Sequence, residues 1–249
     1  MQQKTESLFQ TAKSTGFEIN IDKTKNLRIN AQQNDPITLN GNDIEDVSHF
    51  TYLGSILNTT GGADEDIRVR KGKARQAFII LRHVWRNRKI SLRTKLRIFE
   101  TNVKSVLLYG SETWKQTKKN EQDLQAFINK CLRQILNIRW PERITNTELW
   151  WRTNQTPIVQ TIKQRKWHWI GHILRRLQNN ITKQALDWNP QGKRKRGRPM
   201  TTWRRTLEAE SRSIRMSWGE AKKAAHDRNK WRAIVKALCS PRSEEEYVK

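Results

Sequence analysis

At 249 residues the chain has room for one large or two modest domains, and 35% hydrophobic against 29% charged residues favours small helical subdomains over one deep core. The balance of 49 Lys and Arg against 24 Asp and Glu leaves +25, a charge that repels itself unless a polyanion is present. Nucleic acid leads anionic membrane as partner, no small-molecule substrate is expected, Cys131 and Cys239 alone exclude a disulfide framework, and the polar start with no long apolar run predicts a soluble intracellular protein, nuclear or cytoplasmic.

In chain order, Gln3 to Thr15 reads as a short helix with Leu8 and Ala12 four apart, and Gly16 sits where a C-terminal glycine cap belongs. Phe17, Ile19 and Ile21 alternate with polar residues and predict a strand. Asp22 to Lys25 is a polar turn, and Leu27 and Ile29 begin another strand. Ile37 and Leu39 lead to Asn40-Gly41, the strongest two-residue hairpin signal. Ser48 to Leu57 then alternates again, with Phe50, Tyr52 and Ile56 on one face and Gly54 between them. A glycine there marks a bulge or a close backbone approach. The stretch reads either as an edge or hairpin strand or as a grip on a nucleic-acid backbone. No helix long enough for a crossover separates these runs, so an antiparallel group is expected.

Asn58 to Gly62 ends the β region, and the rest reads as basic helix. Asp64, Glu65 and Asp66 crowd a first helical turn, where carboxylates suit the dipole, and this helix runs to about Asn87 with Ile67, Ala74, Phe78 and Leu81 inward. Ser91 caps the next, carrying Leu92, Leu96, Phe99, Val103, Val106 and Leu107. A third spans about Lys118 to Leu136, and the three are expected to form a bundle. Beyond Pro141, Thr145 or Thr147 caps a short helix over Leu149 and Trp150. Thr156-Pro157 opens a helix to about Leu177 with Ile162, Trp169, Ile170, Ile173 and Leu177 inward. Gly192 to Pro199 is irregular, a helix follows over Thr201 to Ser213, and a last one runs from Ser217 to about Leu238.

The densest cationic run is Lys193-Arg194-Lys195-Arg196-Gly197-Arg198-Pro199. An extended Arg-Gly-Arg segment suits a narrow minor groove, and the same run reads as a basic linker touching phosphates or as a nuclear-import signal. His168 and His172 stand four apart on one helical face, but a closed metal site needs two more ligands and no Cys pair is near. A polar face of Arg165, His172 and Arg176 towards phosphates fits better, with Gly171 allowing close helix packing. Asp64, Glu65 and Asp66 are explained by their helical turn, and Asp43, Glu45 and Asp46 read as solvated hairpin residues. The 11 Trp split between core and stacking platforms beside cations. No nucleotide-binding loop or nucleophile array occurs, so no catalytic residue and no metal ligand is assigned.

The succession Gly16-Phe17-Glu18-Ile19-Asn20, Lys23-Thr24-Lys25 and Phe50-Thr51-Tyr52-Leu53-Gly54-Ser55 resembles the end of the palm in non-LTR retrotransposon reverse transcriptases. The likeness continues through Leu107 to Trp114, Trp169-Ile170-Gly171-His172 with Arg175, Gly197-Arg198-Pro199, and Asp227-Arg228 with Trp231-Arg232. It is nearest the RTE-type endonuclease–reverse transcriptases and covers almost the whole chain. Each motif is weak alone; their shared order is specific.

The resemblance implies an α+β, mostly α fold. Residues 1–62 would be a small antiparallel remnant of the palm and 63–139 a thumb-like bundle. Residues 140–239 would be a basic, Trp-rich helical domain with a linker at 189–200, and 240–249 a loose tail. The family's polymerase holds two Mg²⁺ with Asp residues, including a Tyr/Phe-X-Asp-Asp hairpin that this sequence does not contain. The resemblance therefore implies a catalytically incomplete C-terminal portion, with no cofactor of its own, that binds RNA or DNA. Lys23 and Lys25 match the motif after the catalytic hairpin, and Tyr52, Leu53 and Gly54 match the primer grip. Two other expectations compete: an autonomous nuclear DNA-binding protein that uses the Arg198 segment, and a degenerate reading frame that folds poorly.

Overall fold

The computed structural model describes residues 1–29, 35–59, 62–139, 141–187 and 202–240. The chain is α+β and mostly helical, and it divides into two compact units, Met1–Asp66 and Ile67–Lys249.

In the first unit, α1 (Gln2–Ser14) ends as its glycine predicts. Gly16 takes φ +79°, its N–H donates to Lys13 O, and the Phe17 N–H donates to Ala12 O, a Schellman closure. Leu8 is nonetheless exposed. Residues 17–20 form no strand, contrary to their alternation. The Asn20 side chain accepts the Lys23 N–H at 2.9 Å and folds the chain into a turn instead.

The six strands are β1 (Lys25–Asn26), β2 (Thr38–Leu39), β3 (Asn42–Asp43), β4 (Glu45–Asp46), β5 (His49–Tyr52) and β6 (Ser55–Asn58). They do not form one antiparallel group. β2–β3 and β5–β6 are separate antiparallel hairpins, and β1 pairs with β4 in parallel. Side chains bridge the parallel pair. Lys25 salt-bridges Glu45, and Asp46 accepts from Arg28 Nε through both oxygens, at 3.1 and 3.0 Å. Glu45 and Asp46 are thus ion-paired as well as solvent-exposed, while Asp43 is exposed as expected. Arg28 first, and Asn26, hold the Asp46 carboxyl below its ordinary value.

The Asn40-Gly41 signal is realised, with φ of 49° and 79° in a two-residue turn. A second such turn went unmarked in the sequence. Ser48–Leu57 is two short strands folded at Leu53-Gly54, with φ of 48° and 80°. Folding at that point pairs Phe50 with Leu57 and Thr51 with Ile56, so Ile56 lies on the face opposite Phe50 and Tyr52. Asp66 accepts the Ile56 N–H at 3.1 Å and Glu65 accepts from Asn58 at 3.2 Å. The acidic first turn of the next helix thereby serves the hairpin as well as the dipole.

α2 (Asp64–Ile80), whose first turn ends the first unit, and α3 (Arg82–Arg86) replace a single helix, broken at Leu81. α4 (Leu92–Phe99), capped by Ser91, passes through a π-helical stretch over Glu100–Lys104 into α5 (Ser105–Leu107). The wider turn keeps Phe99, Val103 and Leu107, each four apart, fully buried. Phe78 stacks on Trp85 at 5.1 Å and meets Phe99 edge-on at 6.2 Å. Buried Lys95 donates to Trp85 O at 2.9 Å, closing the end of α3.

α6 (Lys118–Ile135), capped by Thr117, buries Leu124, Ile128, Cys131, Leu132 and Ile135. Burial pushes the Cys131 thiol up to about 12.

α7 (Asn146–Thr153) is capped by Thr145. α8 (Ile158–Leu174) stops before Leu177, which is exposed and not inward. α9 (Ile181–Asp187) was not foreseen, and α10 (Trp203–Ser213) follows. The last predicted helix is two, α11 (Trp218–Ala224) and α12 (Arg228–Cys239). Asp227 makes the break by accepting the N–H groups of Asn229 and Lys230. α8 and α12 share one core with Leu186, Leu207 and Ala221.

Candidate nucleic-acid interface

α8 and α12 pack closely because Gly171 has no side chain. A Cβ there would stand 2.1 Å from Trp231 Nε1. Trp231 is buried, tilts against Trp167 at 5.8 Å, and donates its indole N–H to Trp167 O at 3.0 Å. The close packing anticipated at Gly171 is what the fold uses.

Beside that contact opens a cleft of about 340 Å³, lined by His168, His172, Arg175, Arg228, Trp231 and Arg232. Every charged lining residue is cationic or imidazole. Arg175, just past the end of α8, donates to Ala225 O at 3.0 Å and so is held against the end of α11. Burial, and then the neighbouring Arg228 guanidinium, pull the Arg175 pKa below the ordinary arginine value. Among the described residues no carboxylate pairs with Arg175, Arg228 or Arg232. Like charges held together without an acid form a place for an anion, and a phosphate oxygen satisfies such a cluster.

Of the residues assigned to nucleic-acid binding from the sequence, only His172 lines this cleft, joined there by His168, its partner on the same helical face. Arg165 turns away and pairs with Glu112, its Nε and Nη2 each 2.9 Å from Oε1. Arg176 is exposed beyond the helix end. Lys23 is exposed, Lys25 is salt-bridged to Glu45, and Tyr52 and Leu53 are exposed at the hairpin tip beside Gly54, all in the first unit. Lys193, Arg194, Lys195, Arg196 and Arg198 lie outside the described residues.

His168, Arg175, Arg228 and Arg232 were missing from the sequence-based set. The signal was present in part, because Trp169–His172 with Arg175 and Asp227–Arg228 with Trp231–Arg232 are two of the resembling motifs. Their meeting at one cleft is a tertiary fact. Among the described residues no group of three or more His, Cys, Asp or Glu could hold a metal, and the sequence has no adjacent Asp pair.

Among the described residues the tryptophans divide unevenly. Trp85, Trp114, Trp167 and Trp231 are buried, and Trp151 alone is largely exposed, at 82%.

A second polar assembly lies beneath the cleft. Lys166, fully buried, meets Glu210 at 2.7 Å, and Trp167 Nε1 donates to the other Glu210 oxygen at 2.6 Å. This clamps α10 to α8. Desolvation lowers the Lys166 pKa and Glu210 opposes the shift. These groups face the core and act in folding.

Comparison with known proteins gives a consistent but coarse result. Residues 77–109 match a family described as a domain of unknown function, DUF6451. The chain is 25% identical over 247 residues to an uncharacterised transposon-derived protein of Caenorhabditis elegans, covering 93% of this chain and 87% of that protein. No solved structure matches. The chain thus has a transposon-derived relative along nearly its whole length.

Proposed function

We propose that this chain is the nucleic-acid-binding C-terminal part of a non-LTR retrotransposon reverse transcriptase, comprising the palm's end, a thumb-like bundle and a basic C-terminal domain. It binds template–primer, element RNA or target DNA and does not polymerise by itself. The observation that carries this reading is the acid-free cleft at which two motifs of the resemblance, 169–175 and 227–232, come together. The net charge of +25 and the transposon-derived relative support it. The relative's name speaks of transposon origin only; the polymerase parentage rests on the motifs.

The chemistry available is electrostatic. Cations neutralise phosphates and release counterions, so affinity falls with salt by roughly 0.9 log units per log salt for each phosphate on duplex DNA. The test uses the full chain with Mg²⁺, a primed RNA template and deoxynucleotides. We expect no incorporation, together with binding that weakens steeply from low to moderate salt. Incorporation by pure protein would overturn the non-catalytic assignment. Binding that ignores salt, or no binding at all, would overturn the nucleic-acid assignment.

A further inference from the structure

The cleft does not end at Arg232. A second hollow of about 390 Å³ shares His168 and Arg232 with it and continues along the same two helices. Gln160 and Gln164 on α8 and Val235, Lys236 and Cys239 on α12 line this extension. On α8 the lining positions recur every four residues, at 160, 164, 168 and 172, and on α12 they recur at 228, 232 and 236. Four residues are about one turn and about 6 Å of rise, so each row runs along its helix, and the stretch from 160 to 172 is about 18 Å long. The helices run antiparallel, since His172 faces the start of α12 and Gln160 its end.

Three properties of this seam select a ligand. Neither α8 nor α12 contains an acidic residue. The cations Arg228, Arg232 and Lys236 are exposed along the seam and have no carboxylate partner among the described residues. The aromatic in it offers no platform, because Trp231 is 2% exposed and spends its N–H on Trp167 O. The seam's cations therefore meet phosphates, and no indole is left free in it to stack a base. A straight groove follows a flexible single strand along its length, whereas the backbone of a duplex curves away after a few phosphates.

We propose that the α8–α12 seam is a track for the phosphodiester backbone of a single nucleic-acid strand. Arg228, Arg232 and Lys236 grip successive phosphates from one side, and Arg175, His172 and His168 face them from the other. This rests on the nucleic-acid reading above and adds where, and which form, the chain holds.

The test compares three full-length proteins: wild type, the triple variant Arg228→Gln/Arg232→Gln/Lys236→Gln, and a control triple Arg82→Gln/Arg86→Gln/Lys89→Gln, which removes the same charge from exposed positions elsewhere. Circular dichroism verifies that all three fold. Each is titrated with a 20-nucleotide single-stranded RNA and with a duplex of the same sequence over a salt series. The seam variant is expected to lose at least about tenfold in single-strand affinity, and its log–log salt slope to shallow by roughly two, about 0.7 for each of three phosphates. Its loss on duplex, and the loss from the control triple, are expected to be smaller. Equal losses for the two triples, or a loss on duplex as large as on single strand, would overturn the track. If wild type binds but the seam variant binds like it, the track alone fails. If wild type binds neither nucleic acid, the functional reading fails with it.

Discussion

Gly171 and Trp231 are in contact across α8 and α12 at a distance that admits no side chain on the glycine, since an added Cβ would meet the indole at 2.1, 2.6 and 2.7 Å. The indole is pinned by its bond to Trp167 O and by burial, so it cannot swing aside as a long flexible side chain would. Gly171→Ala gains about 1 kcal/mol of helix propensity, but forced overpacking of a tight contact costs about 1–3 kcal/mol or more. We expect a net loss of up to about 2 kcal/mol in urea unfolding. Trp231→Leu frees the space, so the double variant Gly171→Ala/Trp231→Leu should lose less than the sum of the two single losses. Additive losses would show that the contact is looser than described.

That contact also measures what the sequence could tell. The glycine's role in close packing was readable from its place between large residues on a helix, the caps at Ser91 and at Thr145 or Thr147 because each uses a side chain with a specific local bond, and the turn at Asn40-Gly41 because both residues tolerate positive φ. Leu53-Gly54 was not, because leucine is no marker of positive φ, and missing the turn put Ile56 on the wrong face. The parallel β1–β4 pair was invisible because it joins two-residue strands 20 residues apart, which no local periodicity encodes. The cleft was half legible. His172 stood on a polar helical face, but Arg228 and Arg232 reach it from 50–60 residues away, and no local spacing encodes that. Arg165, on nearly the same face, is claimed by Glu112, a partner that helical periodicity cannot supply.

The buried cluster under the cleft gives a pH prediction. Burial raises the Glu121 carboxyl above its ordinary value, against the pull of Lys166 and with the help of Glu210. A carboxyl with a folded pKa above its unfolded one holds its proton longer in the native state. Its contribution to stability is therefore fully present below the unfolded pKa and is lost as pH rises through the folded value. Glu121→Gln should flatten stability across that window and leave the protein more stable than wild type at neutral pH, as read by chemical unfolding at a series of pH values. By contrast, Glu210→Ala strips buried Lys166 of its carboxylate and should cost about 3–5 kcal/mol. A wild-type profile unchanged by Glu121→Gln would remove Glu121 from the cluster's electrostatics.

The hairpin tip offers a way to separate stability from function in the first unit. Leu53 sits at φ 48°, where a Cβ crowds the carbonyl and an L-residue other than Gly, Asn or Asp costs roughly 1–2 kcal/mol. Its side chain gains nothing in return from the fold, being 72% exposed beside an exposed Tyr52. Strain kept at an exposed apolar tip is the pattern of a position held for contact with something else. Leu53→Asn adopts the same turn with less strain and should stabilise the protein by about 1 kcal/mol, or a few degrees in thermal midpoint. If the tip touches a primer strand, the same substitution weakens binding to a primed RNA–DNA hybrid while leaving binding of a lone single strand unchanged. A variant that is more stable and binds the hybrid as wild type does would remove Leu53 from the interface.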